Sequence, residues 1–280
     1  MDDIRVITDS TSSIGEDLIK KYKVIQVSFY FEIDGNLYKD LYDIKTEEIF
    51  EKLKNKNFIE FKAFPPRPED FLNEFKRVEE NKIFCITISS TLSGCYKNAL
   101  IAKTMIKDKE IEVIDSLNAG SGEGILTYKI LNLIENGYSF KEIKIESENL
   151  INKIRTYVYI DSLKDVYRTG RIPKIISNFG SLLSLKPIVS IDYGKIRSIT
   201  LAKNRVDGIN KLIEIIKREI KEETIFCMYI NFSEEIEFFR EEILKIFPNL
   251  KIYFVNFTPI MGYAVLTGAF GVSFLGGERI

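Results

Sequence analysis

The stretch IRVITDSTSSIGEDLIKKYKVIQVSFYF, residues 4–31, decides the fold class of this 280-residue chain. An apolar, β-branched run at residues 4–8 precedes an amphipathic segment, and a second apolar run follows at residues 24–31. This alternation predicts a strand, a helix and a parallel strand. Further strands are predicted at residues 82–89 and 112–114. We therefore predict an α/β fold whose N-terminal part is a mostly parallel sheet flanked by helices.

A second unit is predicted in the C-terminal half of the chain. A strand at residues 158–160 begins it, and residues 187–198 have a hairpin pattern with Gly194 in the turn. The sequence therefore predicts two domains, an N-terminal α/β domain of residues 1–155 and a smaller α/β C-terminal domain of residues 156–280.

Composition excludes several classes of function. The 40 basic and 41 acidic residues leave a net charge of -1, so no overall positive field attracts nucleic acid. The chain has no histidine, which excludes Ser-His-Asp and Cys-His catalysis. Cys85, Cys95 and Cys227 show no CxxC spacing. We expect no metal, no cofactor and no self-contained catalytic activity.

Hydropathy and the N-terminal residues bear on the compartment. No apolar run reaches the ~18 to 20 residues that a transmembrane helix needs. Residues 1–3 do not begin a basic segment followed by an apolar one, which a secretory signal would have. We therefore expect a cytoplasmic protein without an integral membrane segment.

Small polar residues follow the first predicted strand. Asp9, Ser10, Thr11, Ser12 and Ser13 stand where a parallel strand ends, and such loops line the ligand crevice of open α/β sheets. The same residues also cap helices, because their oxygens accept hydrogen bonds from free amide groups. Both interpretations fit the residues.

A stronger signal lies at residues 85–99, where an apolar strand ends in hydroxyl residues and a helix begins. The residues at this junction are Ser89, Ser90, Thr91, Leu92, Ser93 and Gly94. A helix start carries roughly half a positive charge, so this loop could hold a carboxylate or phosphate without Lys or Arg. Helix capping accounts for one hydroxyl but hardly for four.

Two further loops carry weaker signals. The glycine-rich stretch 115–124 lacks the GxGxxG spacing and a Walker lysine, so we interpret it as a turn that leads into a helix. Residues 168–174 place three cations on a bend, and Arg171 could pair with an anion in a bidentate manner. A solvated surface loop is the ordinary alternative for that bend.

Several of these stretches occur together, in order, over nearly the whole chain. They are ITDSTSS at 7–13, ISSTLSGCYKNA at 88–99, VIDS at 113–116, TGRI at 169–172, KPIV at 186–189, DYGKI at 192–196 and GAFGVSF at 268–274. In this combination the sequence resembles the DegV family, whose members include the fatty-acid-binding subunits of a bacterial fatty acid kinase.

The resemblance implies a two-domain DegV-like fold with an apolar tunnel that holds a long-chain fatty acid. It implies that Ser90 binds the carboxylate, with Ser89, Thr91, Ser93 and Gly94 beside it. Asp9, Ser10 and Thr11 would lie near the head group, and Arg171 would face the catalytic subunit of the kinase. That subunit would phosphorylate the presented carboxylate to an acyl phosphate.

The chain departs from the family pattern at two positions near the head group. Ala63 stands where the family has a carboxylate-binding threonine, and Ala264 stands where it has a histidine, with Thr267 close behind. A hydrogen bond to a charged group contributes roughly 1.5 to 3 kcal/mol, so both changes would weaken carboxylate binding.

Three hypotheses follow for the function. The leading one is a monomeric, non-catalytic protein that presents a fatty acid to a separate kinase. The second keeps the fold and replaces the ligand with a neutral or differently headed lipid. The third is a small-molecule enzyme acting at the helix start near Ser90, with Asp9, Lys97 and Arg171 as candidate acid, base or electrophile.

Overall fold

The computed structural model describes residues 3–54, 61–162, 186–230, 233–265 and 268–278. The strands are β1 (Ile4–Asp9), β2 (Ile25–Val27), β3 (Tyr30–Ile33), β4 (Asn36–Lys39), β5 (Phe61–Phe64), β6 (Lys82–Thr87), β7 (Glu110–Asp115), β8 (Ile154–Tyr159), β9 (Lys186–Asp192), β10 (Lys195–Ala202), β11 (Ile220–Tyr229), β12 (Lys251–Asn256) and β13 (Phe270–Gly276). The helices are α1 (Glu16–Tyr22), α2 (Thr46–Lys54), α3 (Pro68–Arg77), α4 (Cys95–Thr104), α5 (Ser121–Glu135), α6 (Phe140–Lys153), α7 (Arg205–Glu219), α8 (Glu234–Ile246) and α9 (Pro259–Val265).

The N-terminal sheet is parallel throughout and confirms the α/β prediction. Its strand order is β2-β1-β6-β7, with Thr8 opposite Ile86 and Thr87 opposite Asp115. This register brings the carboxyl ends of β1, β6 and β7 to one edge of the sheet. The polar loops that follow these strands therefore meet at that edge.

A small antiparallel sheet of order β4-β3-β5 stands beside the parallel sheet, and the sequence did not predict it. The prediction of one continuous strand at 24–31 is wrong, because the run divides into β2 and β3 at Ser28 and Phe29. There the Phe29 amide donates to Ser10 Oγ (2.9 Å) and the Phe29 carbonyl accepts from the Asp40 amide (2.9 Å). Both backbone groups are thus taken by partners outside the parallel sheet.

The C-terminal sheet has the order β10-β9-β8-β13-β11-β12. Its neighbouring strands are antiparallel except for β11 and β12, which are parallel. The predicted hairpin is confirmed as β9 and β10, with Tyr193 (φ 46°) and Gly194 (φ 76°) forming a two-residue turn. Both left-handed residues match the turn geometry that hairpins favour. The proposed domain boundary at residue 155 falls inside β8 and stays a prediction.

Helix α5 lies between the two large sheets and is buried over most of its length. It contacts β1 and β6 on one side and β8, β11 and β13 on the other. Its first turn is glycine-rich because the chain packs closely there. A Cβ at Gly122 would lie 1.9 Å from Asn118 Oδ1, and one at Gly124 would lie 2.4 Å from the Ser13 carbonyl oxygen. The predicted turn into a helix at 115–124 is confirmed.

A second apolar cluster lies on the other face of the C-terminal sheet, under α7 and α8. Ile216 of α7, Phe239 of α8 and Phe274 of β13 are fully buried in it. Among the residues described, every helix is too short or too polar to span a lipid bilayer.

Candidate ligand-binding cavity

A cavity of about 300 Å³ lies between the carboxyl edge of the parallel sheet, the three-stranded sheet and the C-terminal sheet. This volume is at the lower end of the range for small-molecule sites. Its walls are mostly apolar. The C-terminal sheet supplies Val158, Val189, Ile191, Ile196 and Met228.

Helix α9 and strand β5 form the opposite wall. The α9 residues in the wall are Ile260, Met261, Tyr263, Ala264 and Val265. On β5, Phe61 and Ala63 face the cavity and alternate with the exposed Lys62 and Phe64, as the two-residue period of a strand requires.

Stacked aromatic rings stiffen this part of the wall. The Phe31 ring stacks on Tyr38 (centroids 5.7 Å apart) and on Phe61 (5.3 Å), and Phe61 stacks in turn on Tyr263. The column joins the three-stranded sheet to α9. The stacked rings therefore set the distance between the three-stranded sheet and α9.

The loop before α4 brings polar groups to the cavity at one place. Ser93 and Gly94 line the wall, and Gly94 is also exposed, so the start of α4 lies at a mouth of the cavity. The Ser93 hydroxyl accepts from the Cys95 amide (3.2 Å). Thr11 is the other small hydroxyl residue in the wall among the residues described.

The described cavity wall does not include Ser89, Ser90 or Thr91. Ser90 is exposed and absent from the described cavity wall, and its amide donates to Asp115 Oδ1 (3.1 Å). Ser89 is buried, and its hydroxyl lies 3.0 Å from that of Thr91. Both of these hydroxyls donate to the Gly194 carbonyl oxygen, and the distance from Ser89 Oγ to this oxygen is 3.3 Å. These two residues therefore join the α4 loop to the β9–β10 turn.

A buried pair of carboxyl groups stands behind Thr11. Asp9 Oδ1 accepts from the Thr11 amide (2.8 Å) and lies 2.6 Å from the Thr11 hydroxyl oxygen. Asp9 Oδ2 accepts from the Ile88 amide (2.7 Å) and the Cys95 thiol (3.2 Å). Glu123 Oε2 lies 2.8 Å from the same Thr11 hydroxyl, and Glu123 Oε1 has no hydrogen-bond partner among the residues that the structure describes.

The hydrogen-bond count shows which of the two acids keeps its proton. The Thr11 hydroxyl has one hydrogen, so it donates to one carboxyl group and accepts from the other. Burial raises the pKa of Asp9, but the Thr11 and Ile88 amides and the Cys95 thiol donate to this carboxyl group and oppose the rise, which favours its ionised form over that of Glu123. Burial raises the pKa of Glu123 well above its ordinary value, and the charge of Asp9 raises it further. Glu123 is therefore the neutral member and donates to Thr11.

Asp40 is a third buried acid and connects the two halves of the chain. Its Oδ2 accepts from the Ser10 hydroxyl (2.7 Å), and its Oδ1 accepts from the Ile260 amide in α9 (3.1 Å). Burial raises its pKa to about 7. The nearby Thr46 hydroxyl donates to the Phe257 carbonyl (2.8 Å), so two side chains hold the α9 region to the N-terminal part.

The predicted head-group residues are thus placed differently from one another. Ala63, Ala264, Ser93, Gly94 and Thr11 line the cavity. Asp9 and Ser10 lie behind its wall and are fully buried. Arg171 and Thr267 lie outside the described residues.

Asp40 and Glu123 were missed by the sequence analysis. Glu123 had a usable signal, since it is an acid within the otherwise small and apolar run GSGEGIL. A charged residue in such a run is buried only when it has a specific partner. Asp40 had no comparable signal, because it stands in a polar loop after a short edge strand.

Comparison with known protein families matches residues 3–276 to the DegV family, which is described as an uncharacterised protein family. A DegV domain-containing protein of Caldanaerobacter subterraneus is 33% identical over 219 residues, which cover 78% of each chain. One of Clostridium acetobutylicum is 31% identical over 227 residues, which cover 80% of each chain.

Solved structures share the fold at low identity. A fatty-acid-binding DegV family protein from Thermus thermophilus has a TM-score of 0.88 at 23% identity, covering 98% of this chain and 99% of its own. The fatty acid kinase B3 protein of Streptococcus pneumoniae, solved with linoleic acid, has a TM-score of 0.87 at 20% identity, covering 99% and 100%.

Proposed function

Because this chain belongs to the DegV family, we propose that it binds a long-chain fatty acid in the cavity and presents the carboxyl group to a separate kinase. The single observation that carries the proposal is the mostly apolar cavity at the junction of the two sheets. Proteins with the same fold hold fatty acids, among them the S. pneumoniae protein that was solved with linoleic acid.

The acyl tail would provide most of the affinity. Each buried methylene contributes ~0.8 kcal/mol, and a long chain has over a dozen of them. The loss of translational freedom and the ordering of the chain offset much of that sum. Aliphatic residues such as Val189, Ile191 and Val265 offer the tail a surface without hydrogen-bonding groups.

The head group would lie at the start of α4. Ser93 and Gly94 line the cavity there and Gly94 is exposed, so a carboxyl group at this place would be accessible to another protein. Ser93 is a better candidate for direct contact than Ser90, because the Ser90 side chain is exposed and outside the described wall. Exposed Ser90 and Thr91 would then belong to the surface that a kinase approaches, and Arg171, which lies outside the described residues, stays the candidate for a kinase-facing residue.

The proposal makes the isolated chain a binding protein without its own chemistry. Within the described residues, no group of His, Cys, Asp and Glu side chains could hold a metal ion. The buried acids Asp9, Asp40 and Glu123 stand behind the wall rather than in it. A phosphate donor and the transfer step would come from the kinase.

Mass spectrometry of lipid extracted from purified protein tests the proposal. We expect about one acyl chain per protein. Ala63→Leu adds bulk inside the cavity and should lower the bound lipid about tenfold, whereas Lys62→Leu on the exposed face of β5 should retain it. Repeated preparations without any acyl chain, or equal lipid in both variants, would contradict the proposal.

A further inference from the structure

Four acidic side chains lie near the carboxyl edge of the parallel sheet, behind the cavity wall. Asp9 follows from β1, Asp115 ends β7, Glu123 lies in the first turn of α5, and Asp40 reaches Ser10 from the loop after β4. The charge of Asp9 raises the pKa of both Asp40 and Glu123, and that of Asp115 also raises the pKa of Glu123. The four groups therefore share one electrostatic environment.

Within the described part of the chain, these four carboxyl groups are held by hydrogen bonds and not by ion pairs. The donors to the four carboxyl groups there are backbone amides, hydroxyls and one thiol, and none is a Lys or Arg side chain. Cys85 and Cys95 are the other titratable groups next to Asp9, and burial raises the pKa of both thiols well above the ordinary value, which keeps them neutral. Among the described residues, the charge of ionised Asp9 is thus balanced by hydrogen bonds alone.

Asp9 also lies beside the start of α4. Its Oδ2 receives the Ile88 amide (2.7 Å) and the thiol of Cys95, the first residue of α4. The partial positive charge of a helix start attracts one negative group most strongly within its first turn. A second anion bound close by would be repelled by the first.

Thr11 connects Asp9 to the cavity wall. Its hydroxyl hydrogen is committed to ionised Asp9, and one lone pair accepts from neutral Glu123. The hydroxyl therefore has only an acceptor position left for a ligand. Ala63 and Ala264, also in the wall, offer no donor from their side chains. The Ser93 hydroxyl, by contrast, accepts from the Cys95 amide and keeps its hydrogen for a ligand.

We propose that the cavity binds its ligand's acid head group as the uncharged carboxylic acid, with Asp9 as the residue that selects this form. The proposal rests on the proposed function for the presence of an acyl chain and adds the charge state of its head group. A neutral acid can donate its hydrogen to Thr11 and accept one from the Ser93 hydroxyl through its carbonyl oxygen, and it avoids a second negative charge beside Asp9. Uncharged long-chain alcohols satisfy the same arrangement, so they are expected ligands as well.

Nuclear magnetic resonance of palmitate labelled with carbon-13 at its carboxyl carbon tests the charge state directly. The shift of the bound carboxyl signal is followed against pH for the wild type, Asp9→Asn and Glu123→Gln. We expect Asp9→Asn to lower the pKa of the bound acid by at least about one unit relative to the wild type. Glu123→Gln replaces one neutral group with another and should leave that pKa unchanged.

A second measurement uses the unaltered protein, since Asp9→Asn could fail to fold. Binding of palmitate and of hexadecanol is compared as the pH rises. We expect the affinity for palmitate to fall severalfold while that for hexadecanol stays constant. Equal dependence for both ligands, or a bound acid that stays ionised at mildly acidic pH in the wild type, overturns the inference alone. Absence of any bound acyl chain overturns the proposed function, and the inference falls with it.

Discussion

Replacement of Asp40 by asparagine should remove a pH dependence from the stability of the fold. Asp40 is fully buried, and desolvation raises its pKa to about 7 in the folded chain, although hydrogen bonds from Ser10 and Ile260 oppose the rise. Its pKa in the unfolded chain is near 3.8. Between these values the folded state binds a proton that the unfolded state has released. The free energy of unfolding therefore falls as the pH rises, and it levels off above the folded pKa.

The magnitude follows from the two pKa values. Each pH unit between them changes the free energy of unfolding by about 1.4 kcal/mol, so the wild type should lose roughly 2 kcal/mol between about pH 5.5 and about pH 8.5 through Asp40. Asp40→Asn keeps the shape of the side chain and can still accept from the Ile260 amide. Relative to the wild type, the variant should gain that amount over the same range.

Urea unfolding at a series of pH values measures this difference. The buried acids Asp9 and Glu123 are present in both proteins and contribute a slope of the same sign, so only the difference between the two curves reports on Asp40. Parallel curves for wild type and variant would show that Asp40 ionises normally. A variant that loses stability as the pH rises, relative to the wild type, would refute the reasoning outright.

Two further substitutions probe local structure. Gly194 has φ +76°, and Gly194→Ala would place a Cβ 2.2 Å from Ser89 Oγ. Gly35 has a similar φ of +80° but open space around it, so Gly35→Ala should cost only the ~1 to 2 kcal/mol of left-handed strain. Urea unfolding should therefore show a larger loss in the free energy of unfolding for Gly194→Ala than for Gly35→Ala. Equal losses of stability in the two variants would contradict a close contact between the hairpin turn and the α4 loop. Ser139→Ala breaks the capping box with Glu142 at the start of α6, so it should lower the free energy of unfolding by about 1 kcal/mol in the same assay. An unchanged urea midpoint would contradict the capping role of Ser139.

The parallel sheet could be predicted because its strands are short apolar runs that end in polar loops. The same pattern concealed the division of residues 24–31, since β-branched and aromatic residues continue through Ser28 and Phe29. What divides the run is a set of hydrogen bonds to Ser10 and Asp40, which lie elsewhere in the chain. No local pattern reports such partners.

The candidate site shows the same limit. The α4 loop was found from its hydroxyls, but the sequence could not tell which of them face the cavity. Ser93 does, whereas Ser89 and Thr91 contact the Gly194 carbonyl of a hairpin that is distant in sequence. Ala63 and Ala264 were identified only through the resemblance, because an alanine carries no chemical signal of its own.

The position of α5 has a consequence for how the chain is made. One side of this helix packs on β1 and β6, which are synthesised before it, and the other side packs on β8, β11 and β13, which follow. Strand β13 occupies an inner place in its sheet between β8 and β11, although every other strand of that sheet precedes it in the chain. The part of α5 that packs on β13 therefore stays uncovered until that strand has been made, and apolar surface exposed in this way during folding favours aggregation.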